Sequence, residues 1–105
     1  MKKIVGLEKK LQKLSDTDTG DMLTFKDMFR NGVALFVTKV SSEASELYSL
    51  ANKLKSAGDS IELDDVEFKL LQQRINENPG FSTNQPWPIW IHGQCVEKLE
   101  AASKQ

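Results

Sequence analysis

The sequence has little of the material that holds metal ions or staples secreted domains. Its 105 residues include one cysteine, Cys95, and one histidine, His92. Cys95 has no second cysteine to pair with, and one Cys with one His cannot complete a structural zinc site within a single chain. Nothing in the composition indicates an oxidising compartment. We therefore expect a cytoplasmic protein that uses no metal and no other cofactor.

Long apolar runs are also lacking. No stretch is long enough to span a bilayer, and the opening residues MKKIVGLEKK become charged again at Glu8, so they lack the apolar centre of a signal peptide. The net charge is only −1, whereas general nucleic-acid binders carry a clear positive excess. We expect neither a membrane nor a nucleic acid as a partner.

The charges that are present are unevenly distributed. Residues 1–14 carry five lysines and one acid, for +4, while residues 15–67 carry eleven acids and five basic residues, for −6. Regions of opposite sign can attract one another or a partner of the opposite charge.

The most apolar part of the chain is the segment 23–40, LTFKDMFRNGVALFVTKV. Thr24 can act as N-cap with Asp27 at N3, and Leu23 can pack on Met28 as a hydrophobic staple, so a helix should begin here. Continued at 3.6 residues per turn, this helix would have one broad apolar face. The residues on that face are Phe25, Phe29, Val33, Phe36 and Val40.

Asn31-Gly32 allows a second interpretation of the same segment. These two residues could end a shorter helix and leave residues 33–40 as a local β-strand. We favour the continuous helix, because no second strong strand is evident and an unpaired strand leaves its backbone groups unsatisfied.

The N-terminal residues have the spacing of an amphipathic helix. Ile4, Leu7, Leu11 and Leu14 recur at steps of three and four, with lysines around them. Two heptads are too short for an independent coiled coil and marginal as an isolated helix. The segment 1–14 should therefore pack on its own domain, or serve as an arm that docks on a partner or on a second copy.

Three further helices are predicted downstream. One begins at Ser41 or Ser42 and ends before Gly58, one begins with a capping box at Asp64, and the last runs from Pro88 toward Ala102. Gly93 inside the last helix suggests that another backbone passes close by. The expected inward faces are Ala44, Leu47, Ala51 and Leu54, widened by Tyr48 and Leu50; then Phe68, Leu71 and Ile75; and finally Ile89, His92, Val96 and Leu99.

Together these patterns predict an all-α fold, with four or five short helices in one compact domain spanning residues 1–105. Its core should be formed by one set of apolar side chains from the second, third and fourth of these helices. These are Phe25, Phe29, Val33, Phe36, Leu47, Leu54, Leu71 and Ile75.

The candidate sites are interfaces rather than catalytic centres. Trp87 and Trp90 lie beside a proline-rich turn, where two tryptophans form either a lid on the core or the hot spot of a protein contact. A nucleophilic pair of Cys95 and His92 is disfavoured, since a spacing of three places them only loosely adjacent. We predict no catalytic residues. The candidate interface residues are Leu7, Leu11, Leu14, Trp87, Trp90 and His92.

A cluster of acids invites a different interpretation. Asp64, Asp65 and Glu67, together with His92, could serve a small metal-dependent or hydrolytic enzyme if they converged in space. Acids also collect at helix N-termini because they complement the helix dipole. The dipole explanation is the simpler one.

Three segments, LTFKDMF, IELDDVEFKLLQQRI and IHGQCVEKLE, resemble a diffuse set of small tailed-phage and prophage proteins of unknown function. The shared features are a helix opening like residues 23–25, a segment like residues 63–67, and Gly93-Gln94 followed by Leu99-Glu100. The stretch FSTNQPWP before the last helix is longer than in those proteins. The resemblance implies a phage-derived cytoplasmic protein, located in the host cytoplasm, and supplies no catalytic residues.

The sequence therefore favours a non-enzymatic interaction or assembly protein, which acts by self-association or by docking on a larger protein partner. The alternatives are the small enzyme described above and a DNA-binding regulator. A DNA-binding regulator needs a basic recognition helix, and the only strongly basic helix predicted here is the first.

Overall fold

The computed structural model describes residues 1–12, 23–34, 41–80 and 84–104. In chain order these residues form strand β1 (Lys2–Ile4), helices α1 (Phe25–Ala34) and α2 (Ser41–Ser56), strand β2 (Ile61–Leu63), and helices α3 (Asp65–Asn76) and α4 (Ile89–Ser103). The predicted helical fold is confirmed. A two-stranded sheet is added to it, and the Cα radius of gyration of 13.3 Å matches the ~13 Å expected for one domain of this length.

The prediction of a helix over residues 1–14 is wrong for residues 1–12, the part of that segment that the structure describes. Lys2–Ile4 form β1, which pairs antiparallel with β2 so that Ile4 lies opposite Ile61 and Lys3 opposite Glu62. The two isoleucines are buried, and the two charged residues are exposed on the other face, where an opposite-charge pair across strands is favourable. β2 supplies the partner strand that the sequence did not reveal.

Beyond β1 the chain follows an irregular but firmly bonded path. Gly6 has a φ of +74°, a left-handed conformation that breaks any helix at this point. Leu7 donates its N–H to the Asp59 carbonyl at 2.7 Å and accepts from the Lys26 N–H at 2.8 Å. Ile4, Leu7 and Leu11 are all buried, so residues 1–12 pack on their own domain and form no free arm. Leu14 lies outside the described residues.

Helix α1 begins as predicted. The Asp27 N–H donates to the Thr24 hydroxyl at 3.1 Å, and the Thr24 N–H donates to the Asp27 carboxylate at 3.4 Å, which is a reciprocal cap. The helix is described to Ala34 and includes Val33, so no strand begins at Val33. The remaining residues of the predicted helix or strand, 35–40 with Phe36, lie outside the described residues.

Helices α1 and α2 pack as an antiparallel pair. The Lys26 ammonium group near the start of α1 donates to the Ala57 carbonyl just beyond the end of α2. The inward face of α2 is formed by Leu47, Leu50 and Leu54. Ala44 and Tyr48, which were expected to face inward, are exposed, because the buried face is rotated toward Leu50 relative to the prediction.

Helices α2 and α3 are also antiparallel, and an ion pair joins them near each end. Arg74, with its side chain 8% exposed, contacts the Glu43 carboxylate at 3.0 Å. At the opposite end Lys53 contacts Glu67 at 3.0 Å. Arg74 also contacts Glu77, the C-cap residue of its own helix α3, at 3.2 Å. These contacts fix the relative position of the two helices.

Helix α3 has the predicted capping box. The Glu67 N–H donates to the Asp64 carboxylate at 2.7 Å, and the Asp64 N–H donates to the Glu67 carboxylate at 3.0 Å. The predicted face of Phe68, Leu71 and Ile75 is buried.

Helix α4 begins one residue after Pro88, and its buried face differs from the prediction. Ile89 is 89% exposed, and the buried residues are Ile91, Cys95, Leu99 and Ala102.

One apolar core connects all six elements. Every predicted core residue within the described ranges is buried, and the first strand, the irregular segment after it and α4 contribute as well. The largest fully buried side chains include Ile4, Leu7, Leu11, Met28, Phe29, Leu50, Leu54, Leu63, Leu71, Ile75 and Leu99.

Among the residues that the structure describes, no second backbone approaches Gly93, where a Cβ atom would meet nothing within 4 Å. Gly93→Ala should therefore raise the free energy of unfolding by about 1 kcal/mol, the helix-propensity difference between the two residues. Urea unfolding followed by circular dichroism measures the change.

Gly80→Ala is the matched variant with the opposite expected sign. Gly80 has a φ of +74°, and a Cβ atom there would lie 2.6 Å from the Gln85 carbonyl oxygen. Strain and overlap together should lower the free energy of unfolding by about 2 kcal/mol or more. A neutral Gly80→Ala variant would contradict the geometry of this turn.

The two ion pairs between α2 and α3 should contribute unequally. Glu43→Gln removes a carboxylate from the buried Arg74 and should lower the free energy of unfolding by about 1–3 kcal/mol. Lys53→Gln breaks a pair whose side chains are 39% and 27% exposed and should cost less than about 1 kcal/mol. The same urea titrations compare the two variants, and equal effects would contradict the assigned burial.

Candidate functional site

The side chain of Asn78 forms two hydrogen bonds with the backbone of Trp87, one of the two tryptophans predicted at an interface. Asn78 donates its side-chain N–H to the Trp87 carbonyl at 3.0 Å, and the Trp87 N–H donates to the Asn78 side-chain oxygen at 2.8 Å. Asn78 has a φ of +54°, a conformation that asparagine tolerates better than most residues. Trp87 is 3% exposed and belongs to the core, while Trp90 is half-buried. Trp87 is thus a lid on the core and offers almost no surface to a partner.

His92, on α4, contacts the C-terminal end of helix α3. Its Nε2 lies 2.7 Å from the Ile75 carbonyl oxygen, which also accepts from the Asn78 N–H at 3.1 Å. Because a carbonyl oxygen can only accept, Nε2 must carry the hydrogen in this contact. His92 therefore satisfies a carbonyl at a helix C-terminus, a position that favours a donor.

The acids proposed for an enzyme site lie at the other end of the same helix. Glu67 and Ile75 are separated by eight residues of α3, or about 12 Å along its axis. Asp64 and Glu67 cap the helix, and Glu67 also pairs with Lys53. The structure thus places His92 at one end of α3 and these acids at the other.

Cys95 faces the core and is fully buried. Burial raises the pKa of its thiol to about 12, an effect that the nearby Lys98 charge only partly offsets. A thiol with this pKa is almost entirely protonated at neutral pH and is a poor nucleophile. With His92 bonded to Ile75, no cysteine–histidine pair is formed.

Among the described residues, Lys98 also has an altered pKa. Burial lowers the pKa of its ammonium group, the positive charge of Lys9 lowers it further, and Asp59 acts in the opposite direction. The ammonium group donates to the Val5 carbonyl at 3.0 Å and lies 4.4 Å from the centre of the Phe25 ring. It holds the residues after β1 against α4.

A concave surface with a volume of ≈ 600 Å³ lies between α1 and α2. We call it the α1–α2 groove. Tyr48, 72% exposed, and several small apolar side chains line it, and its two charged lining residues are both basic. The lining residues are Arg30, Asn31, Val33, Ala34, Ala44, Leu47, Tyr48, Ala51, Asn52 and Lys55.

A second concave surface lies between α2 and α3, and its charged lining residues are all acidic. Its volume is ≈ 330 Å³, and its charged residues are Glu46, Asp64 and Glu67. Val66, in the first turn of α3, lies at this surface and is 66% exposed. Two charged grooves of opposite sign therefore flank α2.

These surfaces were not identified from the sequence. Tyr48 was assigned to the inward face of its helix, and Val66 was not singled out as an interface residue. The signal that could have found them is the run of Leu47, Leu50 and Leu54, which alone fills the buried face of α2 and leaves Tyr48 outside it.

Within the described ranges, no group of three or more His, Cys, Asp or Glu residues is arranged to hold a metal ion. None of the helices found there combines the length and the apolar character needed to cross a membrane. Residues 1–12 are not helical, so they do not provide the basic recognition helix considered for a DNA-binding regulator.

Comparison with known proteins identifies no relative: no protein-family model, no curated protein and no solved structure matches the chain significantly.

Because Cys95 is buried, its thiol should react slowly with external reagents. At pH 8 an aromatic disulfide reagent should label the native protein at least about 100-fold more slowly than the protein in guanidinium chloride, because both access and thiolate formation are suppressed. Release of the coloured thiol measures both rates. The denatured protein should react with one equivalent, and fast labelling of the native protein would contradict the buried position.

Proposed function

We propose that this protein is a non-enzymatic assembly protein, which acts by binding further copies of itself. The observation that carries the proposal is the exposure of Tyr48 and Val66, at 72% and 66%, on the two flanks of α2. Single exposed apolar side chains are ordinary on protein surfaces. Here each of them lies in a groove with further apolar lining and charges of one sign, a combination suited to protein contacts.

The positions of the chemically versatile side chains support a binding role. Asp64 and Glu67 cap a helix, His92 ends the same helix, and Cys95 is buried as a neutral thiol. Each of these residues has a structural task that accounts for its presence. The enzyme alternative combined the acids with His92, and it would need His92 and the acids to share one site.

The proposal includes a protein partner and excludes a role in binding nucleic acid or membranes. The near-neutral net charge favours this choice over nucleic acid. We place the protein in the cytoplasm, where Cys95 stays reduced, and its resemblance to tailed-phage and prophage proteins supports a phage origin. Trp90 and His92, both half-buried, remain candidates for a contact near the start of α4.

Light scattering behind size-exclusion chromatography tests the proposal on the full chain. The mass should rise above the monomer value of 11.8 kDa as the protein concentration increases from about 10 μM to 1 mM, the range expected for a contact of modest size. The rise should be smaller at high salt, because exposed charges are then screened.

A mass that stays at the monomer value at every concentration would overturn self-association. The matched control is Ile89→Glu, which removes an apolar side chain of similar exposure from the first turn of α4. This variant should associate as the wild type does.

A further inference from the structure

We propose that the assembly is head-to-tail: the first turn of α3 in one copy inserts Val66 into the α1–α2 groove of the next copy. This inference rests on the proposed function and names the two surfaces that would carry it. We call the inserted element, residues 62–67, the α3 knob.

The α3 knob is an apolar tip surrounded by acids. Val66 is the second residue of α3 and is 66% exposed. Four carboxylates lie within four residues of it along the chain. Lys69 on the same helix and Lys53, which pairs with Glu67, reduce the local charge to about −2. The acids are Glu62, Asp64, Asp65 and Glu67.

The α1–α2 groove has the complementary character. Its lining includes apolar side chains, the amides of Asn31 and Asn52, and the cations of Arg30 and Lys55, with no carboxylate among the lining residues. Neither cation forms an ion pair with a carboxylate in the described part of the chain. An apolar tip with an acidic surround matches an apolar groove with a basic surround, as complementary interfaces require.

Geometry requires that the contact be between copies. A helix turns about 100° per residue, so Tyr48 and Lys55 face one side of α2 while Glu46 and Ser49 face the other. Val66 lies on the side of Glu46 and Ser49, and the two concave surfaces share no lining residue. The α3 knob of a chain therefore lies across α2 from the groove of the same chain.

The knob and the groove are different surfaces, so the contact is heterologous. Each copy has one of each, and a bound pair still offers a free knob at one end and a free groove at the other. Association then continues into a ring or an open chain. A two-fold dimer, in contrast, would use the same surface twice and stop at two copies.

Two variants block the two surfaces separately. Val66→Glu removes the apolar tip, and a glutamate at this position in the first turn of α3 suits the helix dipole, so the fold should persist. Tyr48→Glu places a carboxylate in the groove at an exposed position of α2, where glutamate has a good helix propensity. Circular dichroism and thermal unfolding should show wild-type folding for both, with Ile89→Glu as the matched control.

The deciding measurement is made on the two variants separately and in an equimolar mixture, at a concentration at which the wild-type mass is at least twice that of the monomer. Each variant alone should remain monomeric. The mixture should form a dimer and nothing larger, because the intact groove of the Val66→Glu chain binds the intact knob of the Tyr48→Glu chain. The two surfaces left over are both blocked.

The possible results separate the inference from the proposed function. A wild-type protein that stays monomeric overturns self-association itself. A wild-type assembly that is unaffected by either variant, or variants that stay monomeric when mixed, would overturn the head-to-tail contact but leave self-association standing through another surface. Loss of association in Ile89→Glu as well would assign the effect to general surface charge and also overturn the inference.

A charge exchange provides the second test. Lys55→Glu and Asp65→Lys should each weaken association on their own, because in each variant the groove and the knob then carry charge of the same sign. Their equimolar mixture should recover association, since the acidic knob of the Lys55→Glu chain meets the intact groove of the Asp65→Lys chain and the basic knob of the Asp65→Lys chain meets the acidic groove of the Lys55→Glu chain. The double variant Lys55→Glu/Asp65→Lys should recover association, because opposite charges face each other again at every contact. No recovery in the double variant would contradict charge pairing between Lys55 and the knob.

Discussion

The structure depends on satisfying the backbone of residues 1–12, a segment in which Ile4, Leu7 and Leu11 are buried. A buried N–H or carbonyl group without a partner is costly, and this segment has no helix of its own to supply partners. β1 pairs with β2, Leu7 bonds to Asp59 and Lys26, and Leu11 bonds to Leu23. These bonds place the start of α1 and the turn before β2 on either side of Leu7. In the folded protein the apolar core packs against this arrangement.

The relation of α2 to its neighbours follows from this framework and from charge. α2 runs antiparallel to both α1 and α3, and ion pairs near each end join it to α3. Three leucines fill its buried face, so the rest of its surface remains available. Because α2 contacts the core mainly along this narrow row of leucines, a groove is left between α2 and each of its neighbours, α1 and α3.

Local signals were sufficient to predict the helices. The reciprocal caps at Thr24 and Asp64 involve residues only three apart, and the structure reproduces both. The helix predicted over 1–14 was wrong for residues 1–12, because the spacing of Leu7 and Leu11 also suits an irregular, hydrogen-bonded path. The partner strand that decides between the two lies far along the chain. The rotation of α4 and the exposure of Tyr48 depend on tertiary packing, which periodicity alone does not determine. For the same reason the grooves could not be predicted. For Trp87, the sequence left two alternatives open, a lid on the core or the hot spot of a protein contact, and the structure shows that it is buried.

The pairing of β1 with β2 also bears on how the chain reaches its fold. Ile4 is synthesised early, yet its partner Ile61 leaves the ribosome only after about 60 further residues, several seconds later at usual rates of elongation. Until then the nascent chain carries an apolar strand with unpaired hydrogen-bonding groups, and closing so long a loop is a slow, entropically costly step. The helical hairpin of α1 and α2, whose contacts are more local, can form during this interval. Strand β1 then completes the domain last, although it is made before the helices and before β2.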